Sequence, residues 1–289
     1  MIKKISLVSN VSRNDLYRIR HIIPHWFRMF PPETVDEILL VLDRMPTSGR
    51  IASLHQFSFR EDQIEAALRE VAAMDARVRC IDLDKTRIDR VSQKYFGMKG
   101  LIRCQGGTPI FPFFFAIEEA RNSLIIKLDS DMVFSGKGIA TATVDAFAAD
   151  PALVLMNLPR FGLAPQVFST RAFALDRHRL EALLPIRHLR LDPIRYFHRL
   201  LTGRAPCRAP EQALERETKS GRIKHAWLDS GKDSSLHVTL SWWPGLKDFP
   251  SWINALEVGN IPRGQQNWDF QVSAWESDTT SHNKSANHD

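Results

Sequence analysis

Leu124-Ile125-Ile126-Lys127-Leu128-Asp129-Ser130-Asp131-Met132-Val133-Phe134 is the stretch that decides how the rest of the chain is read. It begins as a short apolar strand and runs into two carboxylates spaced i and i+2. On an extended backbone, side chains two apart share a face, so Asp129 and Asp131 can converge on one ion. Hard oxygen donors of this kind suit Mg²⁺ or Mn²⁺, which keeps further positions for a substrate's phosphates. The carboxyl end of such a strand is also where open α/β sheets bind ligands.

Spacing alone is weak evidence. With 20 Asp in 289 residues, about one or two Asp-x-Asp pairs arise by chance, and Asp82-Leu83-Asp84 is another. What distinguishes Asp129-Ser130-Asp131 is its setting. An apolar, helix-like run precedes it, a buried strand leads into it, and Gly136 and Gly138 follow. In that setting the segment resembles the Asp-x-Asp motif of GT-A-fold glycosyltransferases, which holds a divalent ion against a nucleotide-sugar diphosphate. The alternative is a solvated turn after a core strand.

Composition bounds the rest. A chain of 289 residues with 44% hydrophobic content can bury a real core, as one large α/β domain or two small ones. No apolar run approaches the ~20 residues of a membrane span. Met1 to Asn10 has a basic flank, but its apolar part is too short for a signal peptide. Cys80, Cys104 and Cys207 are scattered, which argues against a disulfide framework or a zinc site and suits a reducing cytoplasm. A net charge of +6 favours anionic partners such as nucleotides, lipid phosphates or a membrane surface.

Along the chain, Ile5–Ser9 reads as a first buried strand with the polar loop Asn10-Val11-Ser12 at its carboxyl end. Asn14-Asp15 can cap a helix through Leu16, Ile19, Ile22 and Ile23 toward Phe27, kinked by Pro24 and ended by Pro31-Pro32. Val35–Asp43 is a second strand, Glu61 to about Met74 an amphipathic helix, and Arg77–Asp82 a third strand. That order predicts a parallel sheet with right-handed crossovers. Asp43 and Asp82 would then share a rim with Asp129 and Asp131, where a carboxylate can accept from a base or ribose; ordinary turn chemistry is the alternative. Gln105-Gly106-Gly107-Thr108-Pro109 is a tight loop before the buried helix Phe111–Arg121, and its glycines could let a diphosphate approach the backbone. Further elements are a helix at Gly138–Ala149, a strand at Leu153–Met156, a strand within Gln166–Asp176 that turns into the helix Arg179–Leu184, and a helix from Pro210 to Gly221. The strand Arg222–Leu228 and His237 follow.

Two regions have unusual composition. Arg171 to Arg208 holds nine arginines (171, 177, 179, 187, 190, 195, 199, 204, 208) and three histidines among Leu, Ile, Phe and Tyr. It suits an anionic membrane or a phosphorylated acceptor, or else is a solvated helical face. Five of the seven Trp (242, 243, 252, 268, 275) lie near the carboxyl terminus, where they can pack a sheet edge, stack on sugar or enter a membrane interface.

The order of the last elements is similar to that of glycosyltransferase family 2, in which an acidic pair opens a helix, Gly and a strand follow, and a His comes later. The second acid of that pair is the usual base of these inverting enzymes. Here it is Gln212, which leaves Glu211 as the candidate base. In some GT-A enzymes a His after the last strand is a metal ligand, which points to His237. A strand and helix like 166–184 carry acceptor-side residues in that family.

The resemblance, spanning roughly Ile5 to Val238, implies a GT-A (Rossmann-like), mostly parallel central sheet flanked by helices in one large α/β domain. That domain would cover residues 1–275, with a nucleotide-binding part to about 135, an acceptor part beyond it, and 276–289 a polar disordered tail. It implies a Mn²⁺- or Mg²⁺-dependent transfer from a nucleotide-sugar donor to a carbohydrate or lipid-linked acceptor, as in polysaccharide biosynthesis. Ser9, Asn10, Asp43, Asp82, Gly107, Asp129, Ser130 and Asp131 would bind the donor, Asp129, Asp131 and His237 the metal, and Glu211 would act as base. The protein would be cytoplasmic, peripheral on the inner face of a membrane, and no nucleic acid is expected. Two other readings stay open. A haloacid-dehalogenase-like phosphatase would use Asp129 as nucleophile and Asp131 as acid/base, with Asp229 and Asp233 as its later acidic pair. A basic nucleic-acid-binding module would use the arginine-rich segment.

Overall fold

The computed structural model describes residues 4–45, 59–105, 107–162, 168–229, 231–238 and 248–277. Its centre is a seven-stranded sheet in the order β3-β2-β1-β4-β7-β6-β8. The strands are β1 (Ile5–Val11), β2 (Val35–Leu42), β3 (Val78–Asp82), β4 (Leu124–Asp129), β6 (Leu155–Asn157), β7 (Ala172–Asp176) and β8 (His225–Trp227). β1 to β4 are mutually parallel where they pair, and β6 is parallel to β8. β7 runs antiparallel to both β4 and β6. The sheet is therefore mixed and mostly parallel, as expected.

Alternation along the central strands explains why helices cover both faces. Ile5, Leu7, Ile38, Leu40, Ile126 and Leu128 point into one core with the helices α1 (Leu16–Met29) and α2 (Glu61–Met74). Val8, Leu39, Val41 and Ile125 point into the other, with α3 (Ile88–Phe96) and α4 (Phe111–Glu119). Strands apolar on both sides must be covered on both sides. α1 runs through Pro24 and stops before Pro31-Pro32. Its fully buried Trp26 donates from Nε1 to the Met132 carbonyl at 2.7 Å, which anchors the chain just beyond Asp131.

The decisive stretch is not one strand. β4 ends at Asp129, Ser130 and Asp131 form a turn, and β5 (Met132–Ser135) leaves the main sheet to pair antiparallel with β9 (Ser234–His237). Alternation on an extended backbone therefore does not position the two carboxylates; the turn does. Gly136 at φ +79° follows β5, and a side chain there would collide with the Asp233 carboxylate, which accepts the Gly138 N–H at 2.6 Å ahead of α5 (Ile139–Ala149).

The arginine-rich segment is not one surface either. Arg177 donates to the Ile117, Glu118 and Ala120 carbonyls, Arg179 to those of Phe147, Asp150 and Leu153, and Arg208 to those of His188 and Arg190. These three tie together the ends of helices and strands around α6 (Arg177–Glu181). What remains outside is α7 (Pro193–Leu201), before α8 (Pro210–Lys219). Trp252 in α9 (Phe249–Glu257) and Trp275 are buried with Phe270, so two of the late tryptophans are core. Trp242 and Trp243 lie outside the described residues. Residues 272–277 are helical, so Glu276 and Ser277 belong to an ordered turn, and the rest of the expected tail lies outside the described residues.

Candidate active site

Three long-range pairings assemble the site at the carboxyl ends of β1 and β4. Asn10 stands opposite Asp129, and the Asp129 N–H donates to the Arg171 carbonyl at 2.7 Å. Met132 stands opposite His237, and the Val238 N–H donates to the Asp131 carbonyl at 2.8 Å. These contacts bring His237 Nε2 to 3.2 Å from Asp131 Oδ2. On its other side, His237 Nδ1 is 2.8 Å from Asp269 Oδ1, and Trp268 packs on the ring. The Arg171 guanidinium lies against the imidazole and over Trp268. From α1, Arg18 reaches Asp131 Oδ2 at 3.5 Å while bonding Asp15 at 2.6 Å.

Asp15 holds the N-cap position of α1 but does not cap it. Its carboxylate instead accepts from the Ser12 N–H and hydroxyl, from Arg18 and from Ser130 Oγ at 2.9 Å. The helix start thus braces the Asp129–Asp131 turn. Below the rim, the fully buried Lys127 donates to the Leu128 carbonyl and stacks over Phe113.

Charges at this rim are pushed in opposite directions. Burial and then the neighbouring Asp131 raise the Asp129 pKa, with Lys127 opposing. Asp131 is also buried, but the His237 hydrogen bond and the charges of Arg18, His237 and Arg171 bring its pKa below the usual carboxylate range. Burial lowers and Asp131 raises His237, for a net rise. Two adjacent acids held at different affinities for a proton mark a site built for something other than stability.

The other expected residues divide. Ser130 braces the turn and Asn10 donates from Nδ2 to the Pro112 carbonyl at 3.0 Å. Ser9 is buried in β1. Asp43 lies close enough to Asp15 and Lys127 to feel their charge, and burial pushes its pKa up to about 6. Asp82 is not part of the cluster: it sits on the edge strand and pairs with Arg44 at 3.2 Å, largely exposed. Gly107 takes φ +89°, and its N–H closes a turn on the Cys104 carbonyl; Gly106 lies outside the described residues. Glu211, in the first turn of α8, accepts the Thr170 N–H at 3.3 Å, one residue from Arg171. Gln212 instead accepts from Gln105 Nε2 at 2.8 Å and anchors that loop.

Sequence reasoning missed Asp15, Arg18, Arg160 and Asp269. Arg160 stacks over Trp268 at 4.4 Å and Trp227 at 5.8 Å, and its Nε and Nη2 are buried without a hydrogen-bond partner. Burial lowers its pKa to about 10. A lone charge in the apolar strand Leu124–Leu128 was a signal for Lys127; none marked Arg160.

The donor set accommodates a divalent ion. Asp131 Oδ1 is buried and accepts no hydrogen bond, so folding leaves an anionic oxygen bare beside His237. Among the described residues no group of three His, Cys, Asp or Glu side chains is placed to hold a metal ion, so these residues offer at most two such ligands. A Mg²⁺- or Mn²⁺-type ion is commonly held by one or two carboxylates and completed by substrate phosphates and water.

No family model matches the chain, and no curated protein matches its sequence. Solved structures with a similar backbone course include glycosyltransferases. Two of them are Mycobacterium tuberculosis glucosyl-3-phosphoglycerate synthase with Mn²⁺, uridine diphosphate and phosphoglyceric acid, and the galactosyltransferase LgtC with donor and acceptor sugar analogues. The first is 13% identical over 81% of this chain and 70% of its own, at a TM-score of 0.45. The second is 11% identical over 76% and 73%, at a TM-score of 0.40.

Proposed function

We propose that this protein is a metal-dependent glycosyltransferase that moves a sugar from a nucleotide-sugar donor to a carbohydrate or lipid-linked acceptor with inversion. The observation that carries this reading is the bare, buried Asp131 oxygen beside Asp129 and His237, at the strand ends of a mostly parallel sheet. Asp129 and Asp131 would hold the ion, with His237 orienting Asp131, and the ion would supply positive charge to the departing diphosphate. Arg18 and Arg171 add fixed cations at the same rim, which favours a ligand carrying several negative charges. Asp43, nearest the first two strands, would face the nucleoside.

Glu211 would act as base. It lies in the first turn of α8, and its bond to Thr170 lies one residue from Arg171. It takes the proton of the acceptor hydroxyl as that oxygen bonds the anomeric carbon and the bond to the diphosphate breaks. A lipid-linked acceptor would bring the protein to a membrane surface. Asp233, which the phosphatase alternative needs in catalysis, is engaged at the start of α5. Arg177, Arg179 and Arg208 serve structural carbonyls, and the nucleic-acid alternative has no recognised binding motif and leaves the carboxylate rim unexplained.

A thermal-shift panel of UDP, GDP, CMP and dTDP sugars, with and without Mn²⁺, tests the reading. One donor should raise the melting temperature in the presence of the ion, because binding to the native state stabilises it by mass action. No shift with any donor, or a shift indifferent to metal, overturns it. Trapping of a phosphoryl adduct on Asp129 would transfer the assignment to the phosphatase.

A further inference from the structure

The helix α7 is built inside out. Its start is well formed: Pro193 is the first residue and the Asp192 carboxylate accepts the Arg195 N–H at 3.1 Å. Yet none of its residues is buried. Ile194 is 83% exposed, Phe197 63%, Leu200 49% and Leu201 88%. At about 100° per residue, these four fall within a single arc of roughly 120°. The half-buried side chains are Tyr196 and Arg199, and Arg199 donates to the Ala205 carbonyl at 3.2 Å. A helix that packs for stability alone would do the reverse, since each large apolar side chain left in water forfeits roughly 1.5–3 kcal/mol of burial.

The charge around the stripe says what covers it. Between Arg187 and Arg208 the chain carries six arginines and two histidines against one acidic residue, Asp192. Arg187, Arg190, Arg195, His198 and Arg204 are exposed. A second copy of the chain docking through this face would set like charges against each other. A surface that is apolar beneath and anionic above meets both requirements. We infer that α7 lies in the interface of a bilayer bearing anionic phospholipid headgroups, with Ile194, Phe197, Leu200 and Leu201 below the headgroups and the surrounding arginines among the phosphates. A single helix of nine residues gives weak, reversible attachment, with the charge supplying much of the affinity. This deepens the lipid-linked half of the proposed function, but its test needs no sugar donor, so the two can fail separately.

The experiment is co-sedimentation of the full chain with phosphatidylcholine vesicles containing or lacking phosphatidylglycerol, at low and high salt. Wild type should bind the anionic vesicles and release as salt rises. The triple variant Ile194→Ser, Phe197→Ser, Leu201→Ser should bind at least roughly tenfold more weakly. The pair Arg195→Gln, Arg204→Gln should lose binding to anionic vesicles and flatten the salt dependence. Melting temperatures should be unchanged in both, because none of these side chains is buried in the fold. Equal binding to neutral and anionic vesicles, no binding to either, or undiminished binding of the serine variant overturns the inference. Sedimentation velocity showing a wild-type dimer that the serine variant dissociates would overturn it in favour of a second copy.

Discussion

The rim around Asp131 and the helix α7 break the same rule in opposite directions. At the rim, His237 and Lys127 are titratable groups taken out of water, and the half-buried Asp131 has one carboxylate oxygen buried without a partner. On α7, four large apolar side chains are left in water. In the central sheet the chain sorts its residues as packing demands, with apolar positions of β1, β2 and β4 divided between two cores. A buried carboxylate oxygen without a hydrogen bond and an exposed apolar stripe each cost the free protein free energy. Under the two proposals each is offset by a ligand: a cation with its anionic ligand at the rim, and a bilayer at the helix. Places where the local rules fail are where a function is to be sought.

The strongest way to break this comparison is to neutralise the rim. Asp131→Asn replaces an anionic donor with an amide, and loss of several kcal/mol of charge stabilisation lowers turnover by roughly 10³-fold. Because His237 and Arg18 pair with Asp131 and hold its pKa low, the substitution should also lower the melting temperature at neutral pH. A folded variant that binds Mn²⁺ and nucleoside diphosphate as wild type does would rule out the metal site.

Next comes Glu211→Gln, for which kcat should fall by about 10²-fold or more while donor affinity stays within about twofold, as for an interaction made in the transition state. Gln212→Ala, which frees only the Gln105 loop, should cost less. If Glu211→Gln instead loses thermal stability at near-normal turnover, the residue is a helix-start brace for Thr170 and not the base.

Arg160 sharpens the comparison with stability as the readout. Its two unpartnered buried nitrogens resemble the bare oxygen of Asp131 with the opposite sign. Arg160→Met removes two buried nitrogens that make no hydrogen bond while keeping contact with Trp227 and Trp268, so it should stabilise the free protein by about 1 kcal/mol and reduce turnover. Destabilisation without any kinetic effect would make Arg160 an ordinary packing residue.

The smallest effect concerns a buried polar group that is fully satisfied. His25 in α1 accepts the Phe134 N–H on Nε2 at 2.8 Å, which leaves Nδ1 to donate to Glu257 in α9 at 2.7 Å. Burial lowers the His25 pKa, and although burial opposes it, bonds from His25 and Arg28 lower that of Glu257 to about 2. For His25 the unfolded chain takes up a proton below pH 6.5 that the folded one resists, so stability is present above that pH and falls as the pH drops through it. For Glu257 stability is present above its ordinary value of 4.5 and is lost between there and about 2. Melting temperature should therefore decline from pH 7 to pH 5, and His25→Gln should flatten that decline by up to about 1.4 kcal/mol per pH unit. An unchanged slope in the variant would mean that His25 charges inside the fold.

Much of the amino-terminal half was legible along the chain because its determinants are local. The apolar runs at Ile5, Val35 and Leu124 announce strands covered on both faces, and the amphipathic pattern from Glu61 to Met74 announces a surface helix. Asp129 and Asp131 stood out because they close such a run. His237 was a candidate by resemblance only; pairing of β5 with β9, across a hundred residues, is what places it on Asp131. The same limit explains Asp82. Its place at a strand end could be read, but not that β3 would lie at the sheet edge, three strands from β4. The turn at Ser130 and Asp131, the sorting of Arg177, Arg179 and Arg208 onto backbone carbonyls, and the outward face of α7 were likewise decided only by tertiary contacts. Periodicity records which residues share a face of their own element. Which neighbour meets that face, or whether any does, depends on chain distant in sequence.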